Sequence, residues 1–292
     1  MSAALADILA TPYELSSRQF ELALKKMADD LTYGSDASRF VGPGTEYAQS
    51  RPYSPGDSIR AIDWKVTARS RRVHVKDYEA PKRTTVYIIV DTSSSMHATS
   101  TAISKHATAI WIAGTFALSA FRRRSPVLLV SGGDRTLPLM PTLIRSHLWA
   151  SIELLRKPPQ FVETTNIAAM IEQISAFADR TSLFVIISDL HDLSCVSAIK
   201  RTGQRHDCLV IQLQDPAERG ALKAGFMRAS EAETGREIFA NSRSQFLAES
   251  QIDRRLDFAQ GRVDHVLLAT DKPFMATLKQ ALSSRGGRRA AR

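Results

Sequence analysis

Asp91, Ser93 and Ser95 stand at alternate positions directly after the apolar run 86–90. Five consecutive β-branched or aromatic residues predict a strand that is buried on both faces, as in a parallel sheet. Ligands of such sheets bind at the carboxyl ends of the strands, which is where Asp91 lies. One carboxylate and two hydroxyls are hard oxygen donors that suit Mg²⁺ or Mn²⁺. The stretch therefore predicts a divalent-metal site.

Two other loops carry oxygen donors in equivalent places. Residues 164–166, Thr-Thr-Asn, precede a predicted helix, and Ser188-Asp189 follows the apolar strand 183–187. If neighbouring strands bring the three loops together, one ion contacts all of them, directly or through water. Mg²⁺ takes about six oxygens and usually keeps some waters. The candidate ligands are Asp91, Ser93, Ser95, Thr165 and Asp189.

Strands and helices alternate along most of the chain. Predicted strands at 84–90, 126–130, 183–187, 208–213 and 263–269 are separated by predicted helices at 102–121, 141–155, 166–178, 193–200 and 244–260, and a last helix follows at 273–283. The helix at 141–155 would begin with proline, a position that proline tolerates. A hairpin is predicted from 226–230 to 237–240. This alternation predicts an α/β fold with a doubly wound, mostly parallel sheet flanked by helices.

The first 80 residues differ from this pattern. We predict an N-terminal helical and irregular extension (1–80) packed on a core domain (81–284), followed by a basic tail (285–292). Residues 15–31 form a predicted amphipathic helix whose apolar set is Phe20, Leu22, Leu24, Met27 and Leu31.

The segment 51–65 is dense in charge and contains a Pro-Gly turn. Asp57, Arg60 and Asp63 are spaced by three residues, so a helical turn would pair their charges, with Trp64 beneath them. Two interpretations remain open: a capped turn that pins this segment to the core, and a surface that binds a partner.

Composition narrows the functional classes. The 292 residues carry a net charge of +9, which attracts nucleic acid, anionic lipid or an acidic protein. Because no aromatic residues alternate with the arginine clusters, no specific nucleic acid is expected. The apolar segment 107–121 is shorter than the ~20 residues of a membrane span, so no transmembrane segment is expected. Two cysteines and no signal-peptide pattern favour a cytoplasmic protein.

The metal-site pattern resembles a known motif. Asp-x-Ser-x-Ser with a distant Thr and a distant Asp is similar to the metal-ion-dependent adhesion site of von Willebrand factor A domains. The resemblance assigns Asp91, Ser93, Ser95, Thr165 and Asp189 to that motif. Glu163 and Thr164 stand where the family often has glycines, which leaves open whether Thr164 or Thr165 faces the metal.

A second resemblance covers the chain from about residue 40. The segment from Arg51-Pro52-Tyr53 through Asp63-Trp64 to Arg69 resembles the hallmark of the bacterial domain of unknown function family 58. Members carry it just upstream of a von Willebrand A-like core. The resemblance implies an adaptor or chaperone-like role beside a MoxR-type AAA+ ATPase, together with an unknown client protein.

These patterns predict a non-enzymatic, metal-dependent interaction module. An ion held mainly by neutral hydroxyls keeps positive charge and an open position for an acidic group of a partner. The alternative is a metal-dependent phosphohydrolase or nuclease using Asp91 and Asp189, but two-metal chemistry needs several convergent carboxylates. No Gly-x-Ser-x-Gly elbow and no glycine-rich Walker loop occurs in the sequence. His97 and His191 are predicted to be structural residues or residues at the rim of the site.

Overall fold

A five-stranded parallel sheet forms the centre of the protein. The computed structural model describes residues 11–33, 47–78, 84–132, 140–157, 166–178, 182–219, 226–230, 237–241, 258 and 263–290. The strands are β1 (Tyr47–Pro52), β2 (His74–Tyr78), β3 (Val86–Val90), β4 (Val127–Ser131), β5 (Leu183–Ser188), β6 (Asp207–Gln214), β7 (Phe226–Ser230), β8 (Glu237–Asn241) and β9 (Val263–Ala269). The central sheet has the order β4-β3-β5-β6-β9, and all four pairings are parallel.

Helices flank this sheet and connect its strands. They are α1 (Ser17–Tyr33), α2 (Trp64–Ser70), α3 (Ser94–His97), α4 (Lys105–Arg122), α5 (Arg145–Arg156), α6 (Ile167–Phe177), α7 (Leu193–Arg205) and α8 (Phe274–Ala290). Every residue of β3, β4 and β5 is buried, which explains why these strands lack polar alternation. The predicted doubly wound α/β fold is confirmed.

The order of the strands creates a switch point beside β3. The chain leaves β3 for β4 on one side, then crosses back to β5 on the other side and continues outward to β6 and β9. The connections that leave β3 and β5 therefore run in opposite directions, which opens a crevice between the carboxyl ends of these two strands. Asp91 follows β3 and Asp189 follows β5, so both predicted carboxylate ligands lie at this crevice.

Helix α4 is buried along almost its whole length, because the sheet covers one side and α1 packs on another. The rings of Phe20 and Trp111 are 4.9 Å apart. Leu24 lies so close to Gly114 that a Cβ added there would be 2.8 Å from a Leu24 methyl carbon. The first helix is thus part of the main core. Among the described residues, no helix combines the length and the hydropathy that a membrane span requires.

The apolar face of α1 agrees with the prediction except at one residue. Phe20, Leu24, Met27 and Leu31 are buried, whereas Leu22 is 58% exposed. Two residues along a helix rotate a side chain by about 200°, so Leu22 lies on the face opposite to Phe20 and Leu24. The inclusion of Leu22 in the core was wrong.

Residues 47–78 form a two-stranded antiparallel ribbon, β1 with β2. The predicted charge pairs differ in the structure, where Arg51 makes two hydrogen bonds to Asp57, of 2.7 and 2.8 Å. Asp63 caps α2 by accepting from the backbone of the next turn, and it also accepts from the Ser50 hydroxyl at 2.8 Å. Trp64 is 69% exposed, so the prediction that it packs beneath the charges was wrong.

The start of α5 also differs from the prediction. Thr142 exchanges two backbone hydrogen bonds with Val127, of 2.8 and 3.0 Å, which holds the chain extended next to Pro141. The helix consequently begins at Arg145 rather than at Pro141. The predicted hairpin is confirmed as β7 with β8. Of the predicted helix at 244–260, only Phe258 belongs to the described residues, and it is buried.

Candidate metal site at the carboxyl edge of the sheet

Asp91 is fixed at the end of β3 by hydrogen bonds to both neighbouring loops. Its backbone N–H donates to the carbonyl of Ile187 at 2.8 Å, which ties it to β5. The backbone N–H of Ser93 donates to Asp91 Oδ1 at 2.9 Å, a local turn that aspartate favours. Ser188 Oγ donates to Asp91 Oδ2 at 2.6 Å. The carboxylate is only 4% exposed, so its position is set by the sheet itself.

The serines of the motif connect Asp91 to Asp189. Ser93 Oγ and Ser95 Oγ are 2.9 Å apart. The Ser95 side chain also interacts with the carboxylate of Asp189 and contributes to lowering the pKa of that carboxyl. Four of the five predicted ligands, Asp91, Ser93, Ser95 and Asp189, therefore converge on the crevice between β3 and β5.

The loop after β5 is held in a tight conformation. Leu190 has a φ of 58°, in the left-handed region that residues with a Cβ rarely occupy. Its N–H donates to Ser188 Oγ at 2.9 Å, and the side-chain amide of Gln212 donates to the carbonyl of Asp189 at 3.3 Å. Ser188 thus orients Asp91 and Leu190 together. The sequence placed Ser188 in this loop but gave no sign of its role as a donor to Asp91.

The predicted threonine lies outside the described residues, as does Thr164. Asn166, the next described residue, caps α6 through a 2.9 Å bond from the backbone of Ala169 to its side-chain oxygen. The N–H of Asn166 donates to the carbonyl of Gly132 at 3.0 Å, and Gly132 in turn donates to the carbonyl of Val90 at 2.7 Å. The start of α6 is therefore attached to the same edge of the sheet as Asp91. The assignment of Thr165 stays a prediction.

Lys105 is a buried cation at this edge that sequence reasoning missed. Its Nζ lies 2.7 Å from Asp189 Oδ2 and also binds Glu218 Oε1. Lys105 is 1% exposed, although lysines are almost never fully buried without a partner. Glu218 belongs to a 3₁₀ helix, Pro216–Arg219, directly after β6. Two features of the sequence could have indicated this ion pair: Lys105 stands at the start of a helix, and Glu218 follows the end of a strand.

The two histidines have different surroundings. His191 lies at the mouth of the crevice, with Nε2 3.6 Å from Glu218 Oε1 and 4.0 Å from Asp189 Oδ2. His97 packs against the buried ring of His106, with 4.3 Å between the ring centroids. The Tyr13 hydroxyl is 2.5 Å from His106 Nδ1. His191 is therefore a residue at the rim of the site. His97, the last residue of α3, belongs instead to a cluster of rings with His106 and Tyr13.

The electrostatics distinguish the two aspartates. Burial, together with the negative charge of Asp189, raises the pKa of Asp91 to about 6. Burial acts in the same direction on Asp189, but the charge and hydrogen bond of the Lys105 ammonium, together with contributions from His191 and Ser95, hold the pKa of Asp189 below its usual value. Burial alone would lower the pKa of Lys105, yet the charges of Asp189 and Glu218 raise it. Lys105 and Asp189 are thus both charged, whereas no cationic side chain of the described residues contributes to the pKa of Asp91.

This arrangement fits a hard divalent ion. Asp189 and Glu218 bind the ammonium of Lys105, and a third carboxylate, Asp91, interacts electrostatically with Asp189, so in the described part of this edge the carboxylates outnumber the ammonium. The oxygens next to Asp91 belong to serines, and hydroxyl and carboxylate oxygens are the ligands that Mg²⁺ and Mn²⁺ accept. A cation at Asp91 would offset the cost of holding its charge away from water.

The sequence of the whole chain identifies its relatives. The family model described as "Protein of unknown function DUF58" matches residues 49–257. The chain belongs to the DUF58 family. Uncharacterised proteins of Mycobacterium tuberculosis and Mycobacterium bovis are 27% identical to this DUF58 protein over 290 residues, which covers 92% of this chain and 88% of each relative. No solved structure gives a significant match.

The matched region contains most of the elements that form the site. Residues 49–257 include the β1–β2 ribbon and the strands β3 to β6, with all the loops that carry Asp91, Asp189 and Glu218. Helix α1 precedes the matched region although it packs on α4, and β9 with α8 follows it. The candidate site is therefore built from elements of the DUF58 region.

Proposed function

We propose that this DUF58 protein is a divalent-metal-dependent protein-interaction module. One Mg²⁺ or Mn²⁺ is held at the carboxyl edge between β3 and β5, and an acidic group of a partner protein completes the coordination shell. The ion contacts its ligands directly or through water. The proposed ligands are Asp91, Ser93, Ser95, Thr165 and Asp189.

One observation carries this proposal: a buried carboxylate with a raised pKa and a row of hydroxyls meet at the switch point of the sheet. The pKa of Asp91 is raised to about 6 by burial and by Asp189, so its ionised form is costly without a cation. The Ser93 backbone donates to Asp91, the Ser93 and Ser95 hydroxyls are 2.9 Å apart, and the Ser95 side chain interacts with Asp189. A crevice at this point of a doubly wound sheet is the usual ligand position.

The chemistry of the donors favours binding over catalysis. Because Asp189 is paired with Lys105, Asp91 is, among the described residues at this edge, the carboxylate best able to offset the charge of the ion at close range. An ion with one carboxylate and several hydroxyl or water ligands keeps positive charge toward solvent. A glutamate or aspartate of a partner is the natural ligand for such an ion.

The resemblance to von Willebrand factor A domains leads to the same proposal. Asp-x-Ser-x-Ser at 91–95 follows the first strand of the central sheet, and Asp189 follows the strand beside it. In the proposed assembly, a MoxR-type AAA+ ATPase supplies the ATP-driven work, and this chain holds the client or the ATPase through the ion. The ATPase partner rests on the family resemblance alone.

Catalysis of phosphoryl-ester hydrolysis is the competing proposal, because Asp91, Asp189 and Glu218 do converge. Two-metal hydrolysis needs ions about 4 Å apart, both held by carboxylates. Lys105 binds two of the three carboxylates here and leaves one for an ion. Metal-dependent turnover of a phosphodiester or a phosphomonoester that disappears in Asp91→Ala would establish the enzyme instead.

Co-purification from the source cell tests the interaction. The tagged full chain is isolated in Mg²⁺ and in EDTA, in parallel with Asp91→Asn and with the control Asp192→Asn. Asp192 is exposed and caps α7 on the same side of the sheet, so it controls for a general loss of negative charge. We expect one defined partner to be retained by the wild type and by the control in Mg²⁺, and lost in EDTA and in Asp91→Asn. A partner that is retained equally in all four samples would refute metal bridging.

A further inference from the structure

Three residues next to the proposed magnesium site have the donor set of a different kind of metal site. One ligand atom from each of Asp189, His191 and Glu218 lies within 4.8 Å of the other two. Two carboxylates with one imidazole are ligands that borderline ions such as Zn²⁺ and Co²⁺ accept. The hydroxyl-rich set around Asp91 suits harder ions.

The ammonium of Lys105 stands where such an ion would bind. Its Nζ is 2.7 Å from Asp189 Oδ2 and is bonded to Glu218 Oε1. The imidazole Nε2 of His191 approaches the same two oxygens, at 4.0 and 3.6 Å. The carboxylate oxygens that would coordinate an ion together with His191 are therefore the oxygens that already bind Lys105. An ion and the ammonium cannot both use them.

Lys105 occupies this place against its local preference. It is the first residue of α4, at the helix end whose dipole repels a positive charge. Its side chain is 1% exposed, which deprives the ammonium of water. Two carboxylates from the loops after β5 and β6 offset both costs. The lysine is therefore held at this position by its ligand-like contacts and not by the helix.

We propose that Lys105 is a tethered cation that fills a three-ligand site for a borderline divalent metal and excludes such ions from the edge of the sheet. Asp189 is thereby kept charged and in place beside Ser95, and the Asp91 loop remains the position for a hard ion. The exclusion stands on the geometry of Lys105, Asp189, His191 and Glu218. Its consequence for selectivity at Asp91 rests on the proposed function.

Replacement of the lysine by a neutral side chain of similar length tests the exclusion. The full-length Lys105→Met variant is titrated with Co²⁺ and followed by visible absorbance, beside the wild type. We expect Lys105→Met to bind one equivalent of cobalt more than the wild type does, because a site at Asp91 that accepts Mn²⁺ also accepts Co²⁺ in both proteins. In the double variant Lys105→Met/His191→Ala, the cobalt affinity should be at least ~10- to 100-fold lower than in Lys105→Met. Losses of that size already follow from mutating residues that merely support a metal ligand. Equal cobalt binding by wild type and Lys105→Met, or no effect of His191→Ala, would overturn the proposal.

Folding of the variant supplies a second readout. Lys105→Met removes the ammonium that binds the buried carboxylate of Asp189 and the half-buried carboxylate of Glu218. The variant is therefore refolded with and without Co²⁺ and followed by circular dichroism. Folding that requires cobalt, or a cobalt-dependent rise in Tm that the wild type lacks, supports replacement of the ammonium by the ion. A variant that stays unfolded in cobalt contradicts it.

The two proposals can fail independently. The same cobalt titration in an Asp91→Asn background removes the proposed magnesium ligand and leaves the three-residue site intact. We expect the cobalt signal of Lys105→Met to persist there. A signal that disappears with Asp91→Asn would show that cobalt binds at the Asp91 loop, and this would overturn the assignment to Asp189, His191 and Glu218.

Discussion

Replacing Asp91 by asparagine should stabilise the metal-free protein while abolishing its response to Mg²⁺. Asparagine keeps the shape of the side chain and an oxygen to accept from Ser93, but it carries no charge. The pKa of Asp91 rises from 3.8 to about 6 on folding, chiefly through burial. Since each tenfold change in a proton-binding constant corresponds to ~1.4 kcal/mol, ionising Asp91 at neutral pH costs the fold up to about 3 kcal/mol.

The sign of this effect depends on pH. A carboxyl whose pKa is raised by folding binds its proton more tightly in the folded state, so its contribution to stability falls as pH rises from about 4 to about 6. The difference between Asp91→Asn and wild type should therefore be near zero at pH 4 and reach its full value above pH 6.5. Comparing the two proteins at each pH removes the effect of those carboxylates that do not interact with Asp91.

Urea denaturation in EDTA between pH 4 and pH 8 measures this difference, and repeating it in excess Mg²⁺ measures the ion. Mg²⁺ at 100 times its Kd should stabilise the wild type by about 2.7 kcal/mol and leave Asp91→Asn unchanged. Asp57→Asn is a control for which the opposite sign is expected. The hydrogen bonds from Arg51 lower the pKa of Asp57, so removing the Asp57 charge should destabilise the folded protein. An Asp91→Asn protein that is less stable than wild type in EDTA at pH 7.5, or that still gains stability from Mg²⁺, would refute the reasoning.

Three further outcomes are expected. Leu24→Ala should destabilise by about 2–5 kcal/mol, since Leu24 is buried against α4, whereas the exposed Leu22→Ala should change stability by less than about 0.5 kcal/mol in the same urea assay. Mg²⁺ affinity should fall about tenfold per pH unit below pH 6 as Asp91 protonates, measured calorimetrically, and a pH-independent affinity would contradict this. Cys195 and Cys208 are buried thiols that form no disulfide, so a thiol reagent should label neither in the native protein and both in urea; rapid native labelling would contradict the core assignment.

The fold followed closely from apolar runs in the sequence. The strands at 86–90, 183–187 and 208–213 contain unbroken apolar or β-branched stretches, because both faces of a central parallel strand are covered. Hydrophobicity predicted burial less well in elements that are buried on one face only, such as helix α1. Leu22 was assigned to the core from its hydrophobicity, although its helical angle places it in solvent.

Local turns caused most of the remaining differences. The helix at 145–156 starts later than its proline suggested, because a backbone bridge between Thr142 and Val127 holds the preceding residues extended. This bridge forms because the chain after β4 folds back alongside the strand. The hydrophobic periodicity of residues 141–155 alone does not reveal that contact.

The candidate site could be predicted in its direct donors and not in its supporting contacts. Four candidate ligands are recognisable in the sequence by residue type and by their position at strand ends, and the structure brings them together: Asp91, Ser93, Ser95 and Asp189. Lys105 and Glu218 are separated by more than a hundred residues, and each alone resembles an ordinary surface charge. Only the strand order brings them to one edge.

Calorimetric titration with Mg²⁺ tests the central claim most directly. Wild type, Asp91→Ala and the control Asp192→Asn are titrated after removal of metal by EDTA and exchange into a metal-free buffer. We expect saturable binding with one ion per chain in the wild type and in Asp192→Asn, and none in Asp91→Ala. Equal heats from wild type and Asp91→Ala, or no binding by the wild type, would contradict it.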